Sequence, residues 1–86
     1  MKYTQHNLDK LEDLLSDVSY VVRYERGTFQ SGYCILEQRK VVVLNKFLQL
    51  EGRINTLMDI IPKLITDREV LTPENRKILD QSLTKA

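Results

Sequence analysis

The sequence predicts an α+β domain in which a three-stranded antiparallel sheet, a meander, packs against two to three helices in the order α-β-β-β-α-α. Three observations predict it. The stretch from Tyr20 to Phe47 is rich in β-branched and aromatic residues, which suit a pleated, half-buried surface. The stretches on either side carry apolar residues at spacings of three and four, one stripe each. A length of 86 residues leaves room for one core, so residues 1–86 are read as a single domain.

The first helix is read from Asn7 to Val18, where Leu8, Leu11, Leu14, Leu15 and Val18 fall on one face. Asp9, Lys10, Glu12, Asp13 and Asp17 occupy the rest of the circumference, and Thr4 or Asn7 can supply the capping oxygen. Ser19 interrupts this period. In the strand that follows, Tyr20, Val22 and Tyr24 share one face, with Val21, Arg23 and Glu25 on the other.

Gly27 to Gly32 is turn chemistry, bracketed by two glycines. A second strand runs from Tyr33 to Glu37, with Cys34 and Leu36 on one face and Tyr33 and Ile35 on the other. Glu37-Gln-Arg-Lys40 reads as a tight reversal, and Val41 to Leu44 is an unbroken apolar run, the pattern of a strand covered on both sides. Short connections between consecutive strands make the meander the simplest pairing.

Helical period returns with Ile54, Leu57, Met58, Ile61, Leu64 and Ile65. Pro62 falls inside this stripe, and proline in a helix interior costs about 3 kcal/mol through its missing N–H and its clash with the preceding turn. A kink, or a stop near Ile61 followed by a short second piece, is expected there. Thr72-Pro73-Glu74 has the form of a helix start, and that helix is read to about Thr84 with only Ile78, Leu79 and Leu83 to bury.

Charge and composition exclude several roles. Charged residues at 29% and a net charge of +1 describe a soluble chain with no strong pull toward polyanions. The charge is uneven: −2 over residues 1–18 and +3 over residues 19–46. One cysteine makes no internal disulfide, the N-terminus is too polar for a secretory signal, and no apolar run can span a bilayer, so a cytoplasmic protein without membrane contact is expected.

The residues for metal or covalent chemistry are sparse. His6 and Cys34 are the single histidine and cysteine, with no paired ligands at metal-site spacing, so no metal and no cofactor is expected. Cys34 is the one thiol nucleophile available, yet its mid-strand position beside Leu36 favours packing over catalysis. The acids lie on solvated helical faces, and residues 27–32 match neither phosphate-binding glycine pattern.

Two contact surfaces remain. If the helices gather on one side of the sheet, Val21, Tyr33, Ile35, Val41 and Val43, with Arg23 beside them, form an exposed apolar face of the kind that marks an interface. Two free sheet edges add a route to a dimer. The alternative surface is basic: Arg23, Arg26, Arg39 and Lys40, with the tyrosines, hold ingredients for anion or nucleic-acid contact, though the ribonucleoprotein aromatic motif is absent.

The segment VRYERGTFQSGYCILEQRKVVVLNKFLQLEGRINTLMDII resembles short bacterial proteins of about this length, which implies a small intracellular protein with no assigned activity. Val43-Leu44-Asn45 and Arg53-Ile54-Asn55-Thr56-Leu57 are also similar to the core of minimal zinc metallopeptidases of the repressor-cleaving type. Asp59, Ile60 and Lys63 stand where that family has its two histidines and glutamate, so the likeness implies the scaffold without the zinc chemistry. The expectation is a non-catalytic, self-associating protein-interaction module, with a small nucleic-acid or anion-binding module as the alternative.

Overall fold

In the computed structural model, which describes residues 2–26, 33–65 and 67–83, the first helix, α1, spans Gln5–Asp17. The Thr4 hydroxyl caps it, accepting from the Asn7 amide at 3.1 Å, and Leu8, Leu11, Leu14 and Leu15 are its buried side chains. Its far end closes with two backbone bonds, Ser19 N–H to Ser16 C=O and Tyr20 N–H to Leu15 C=O. This is the Schellman arrangement, with Ser19 at the left-handed position (φ 67°) that glycine normally takes. It turns the chain directly into the first strand.

That strand, β1, is Val21–Glu25, and it is followed by β2, Tyr33–Leu36, and β3, Val41–Asn45. The turn expected at residues 27–32 lies outside the described residues. Between β2 and β3 the reversal at Glu37-Gln-Arg-Lys40 is a single 3-10 turn, Glu37–Arg39, closed by Lys40 at φ 53°.

The protein is α+β, with its sheet in the order β1-β3-β2. The expected meander is corrected in one respect: the sheet is mixed, with β1 parallel to β3 and β2 antiparallel to it. Burial explains the order. A meander would place Tyr33–Leu36 in the middle and leave Val41–Leu44 at an edge, where a wholly apolar strand and its unpaired amides meet water. Central placement pairs β3 on both sides and buries Val42, Val43 and Leu44.

The helix α2 covers Leu50–Leu64 and α3 covers Pro73–Leu83. Pro62 neither stops α2 nor splits it, so the expected stop near Ile61 is corrected: the helix runs on to Leu64. Proline sits in the final turn, where the ladder is about to end, and one more bond closes it, from Ile65 N–H to Ile61 C=O at 3.0 Å. Thr72 caps α3 as expected, accepting from the Asn75 amide at 3.2 Å. Thr84, the expected end of that helix, lies outside the described residues. Among the described residues no helix is long and apolar enough to cross a membrane.

Leu8, Leu11, Leu14 and Leu15 of α1, Ile54, Leu57, Met58, Ile60 and Ile61 of α2, and Ile78 and Leu79 of α3 form one core with Val42 and Leu44. The helices therefore send their buried stripes to the same side of the sheet, here called its inner face. Val43 points the other way and is not part of that core, although it is only 5% exposed.

Candidate functional site

Strand register divides the sheet's side chains. Val42 pairs with Val22 on one side and Ile35 on the other, and Leu44 likewise with Tyr24 and Tyr33, on the inner face. Val21, Val41 and Leu36 form one row of the outer face; Arg23, Val43 and Cys34 form the next; Glu25 and Asn45 end it. Of the expected interface, the structure brings together Val21, Arg23, Val41 and Val43. Tyr33 and Ile35 are corrected to the inner face, where both pack against the core. The alternation along β2 matches the expectation and its phase does not, because nothing in the sequence says which of its two faces joins β1's. Cys34 and Leu36 take the outer positions instead.

The outer row is apolar and only partly covered: Val21 is 56% exposed and Leu36 41%, with Val41 half-buried between them. Beside it Arg23 and Glu25, two apart on β1 and so on one face, form a weak surface ion pair at 3.8 Å. At the corner of β2 and the 3-10 turn an open hollow of about 450 Å³ is lined by Ile35, Leu36, Glu37, Gln38 and Arg39. Among the described residues, each sheet edge belongs to a short strand, β1 or β2, paired on one side only.

The expected cationic group does not converge. Arg39 and Lys40 lie at the start of β3, where the Lys40 ammonium sits 5.8 Å from the Tyr20 ring centre and donates to the Val18 carbonyl at 3.4 Å. Arg26 lies past the far end of β1, over the exposed ring of Phe47 at 5.7 Å. Five-residue strands at about 3.3 Å per residue separate these ends by about 16 Å. Arg23 lies between them, paired with Glu25.

Three features escaped the sequence reading. Phe47, 66% exposed, has Arg26 at 5.7 Å and Lys46 at 5.4 Å from its ring centre. Arg53 of α2 stacks 4.5 Å from the Tyr24 ring centre, while its Nε donates to the Leu48 carbonyl at 2.9 Å and its terminal nitrogen to Lys46 at 3.0 Å. Tyr24 in turn donates its hydroxyl to Glu12. Burial, then the bond to Glu12 and that carboxylate's charge, push the Tyr24 phenol well above its usual value of 10.0, so it is held as a hydrogen-bond donor. Asn75, 5% exposed, donates its side-chain amide to Asp17, joining α3 to α1. Its spacing from Ile78 and Leu79, three and four residues, was the available signal that it sits on the buried stripe.

Comparison of the chain with protein-family models, with curated proteins and with solved structures finds no match.

Proposed function

We propose that this protein is a non-catalytic interaction module of the cytoplasm that associates with a second copy of itself through the outer face of its sheet. The observation that carries the reading is the outer row Val21–Val41–Leu36, exposed at both ends on the face away from the helices and running out to strands that, among the described residues, are paired on one side only. A second copy is the partner that fits, because β1 presents one charge of each sign, Arg23 and Glu25, on that face. A strand of that pattern complements itself when reversed. The polar chemistry described above is spent on joining elements: Tyr24 with Glu12 and Arg53, and Asn75 with Asp17.

Sedimentation velocity on the full chain, from about 5 to 200 µM, tests the reading at affinities typical of weak to moderate complexes. A concentration-dependent rise from the 10.1 kDa monomer to twice that mass is expected. A monomer at every concentration overturns it.

A second reading draws on Phe47, an exposed ring flanked by Arg26 and Lys46, which can stack a base while the cations hold phosphate. Salt-dependent anisotropy of a labelled single strand, lost in Phe47→Ala, would favour it; no binding at low salt would end it.

A further inference from the structure

We infer that two copies join along β1, antiparallel about a two-fold axis at Tyr24, so that Arg23 of each copy faces Glu25 of the other. This rests on the self-association reading and specifies its edge, direction and register.

The backbone sets which registers are possible. Val21 donates to the Lys40 carbonyl and the Glu25 carbonyl accepts from Lys46, so the odd residues of β1 turn their amides and carbonyls toward β3. Alternation turns those of Val22 and Tyr24 outward, and no partner for them exists among the described residues. The outward amide of Tyr20 is already taken by Leu15, so the open edge begins at Val22. An incoming antiparallel strand must therefore place even residues opposite even residues.

Charge then selects among the few registers left. Centring the axis on Arg23 sets two guanidinium groups face to face. Centring it on Glu25 does the same with two carboxylates. Centring it on Val22 pairs Arg23 with valine and leaves Glu25 unmatched. Centring it on Tyr24 pairs Val22 with Arg26, Tyr24 with its own copy, and Arg23 with Glu25 twice. Both unlike pairs fall at non-hydrogen-bonded positions, where Cα atoms approach to about 4.5 Å and side chains interact most closely.

The inner side of the seam suits contact too, since Val22 and Tyr24 are only half-buried at this edge. The β2 edge has no such code, because its outer positions, Cys34 and Leu36, are uncharged. The product is a six-stranded sheet in the order β2-β3-β1-β1-β3-β2, closed by its two-fold axis.

Sedimentation equilibrium of wild type, Arg23→Glu and Glu25→Arg, each alone and the two variants mixed, tests this. Both positions are exposed, so both variants are expected to keep the wild-type circular dichroism spectrum and urea midpoint. Each single variant is expected to self-associate at least about tenfold more weakly, since two attractive cross-strand pairs become two repulsive ones. The equimolar mixture is expected to recover the wild-type association, as a heterodimer, because every cross-strand pair is again unlike. Unchanged dimerisation of the single variants overturns the register and leaves self-association standing. Weakened variants that fail to recombine also overturn it, and a monomeric wild type removes both.

Discussion

The hydroxyl of Tyr24 on β1 donates a hydrogen bond to the carboxylate of Glu12 on α1, tying the edge strand of the sheet to the helix that lies over it. Hydrogen bonds to a charged acceptor contribute more than neutral ones, and this one is partly buried. Tyr24→Phe is expected to cost about 1–2 kcal/mol in urea denaturation.

The same contact sets an alkaline response. The folded state holds the Tyr24 proton more tightly than the unfolded chain, where the phenol has its usual value of 10.0. The contribution to stability is therefore complete below pH 10 and is lost as pH rises above it, while the unfolded chain ionises first. The quantity to measure is the stability gap between wild type and Tyr24→Phe. It is expected to be flat from pH 7 to 9 and to narrow above pH 10. A gap that widens above pH 10 would contradict the assignment.

Arg53 acts as a fork that lysine cannot copy. Its two donated bonds reach different carbonyls, Leu48 and Lys46, while its plane covers the Tyr24 ring. Arg53→Lys is expected to destabilise by about 1–2 kcal/mol. Guanidinium-chloride unfolding, read by circular dichroism, measures it, and a change under 0.3 kcal/mol would mean that the fork contributes little.

Asn75 is the one buried polar side chain among the described residues, and its amide is matched to Asp17. Asn75→Ala removes that bond and leaves space behind, at an expected cost of about 1–3 kcal/mol. The double variant with Asp17→Ala should cost less than the two single losses added together, because both remove one interaction. Strict additivity of the three urea midpoints would argue against a direct coupling.

Ser19 holds a positive φ at the position where a Schellman motif normally carries glycine. Ser19→Gly keeps both closing backbone bonds and removes the Cβ clash, so it is expected to stabilise by about 0.5–1 kcal/mol. Thermal melting should show a rise of a few degrees; a fall would mean that the serine side chain contributes something of its own.

The elements were legible in the sequence because each is a local pattern. Leucine spacing marked α1, Thr72-Pro73 marked the start of α3, and the run Val41–Leu44 marked a strand covered on both sides. Strand order was not legible, since pairing β1 with β2 or with β3 is a contest between edges that no single segment records. Covered-on-both-sides was the hint for a central position, and chain proximity outweighed it. Of the candidate interface, Val21 and Arg23 fall on the expected face because alternation runs unbroken through Tyr20–Glu25, and Val41 and Val43 join them through their register with β1. Tyr33 and Ile35 went to the wrong face because the phase of β2 depends on its pairing with β3, with Tyr33 meeting Leu44. Arg53 and Asn75 escaped notice because a polar residue beside a buried stripe looks the same whether it finds a partner or only water.

Because β3 lies between strands that both precede it, the sheet has no hydrogen-bonded pair until the last of the three has been synthesised. Val21 waits for Val41, twenty positions later, and Leu36 waits for the same residue. A nascent chain halted at Lys40 holds two strands and nothing to zip them together, so early emergence from the ribosome confers no protection on β1. Closure of the sheet and arrival of Val41–Asn45 are one event.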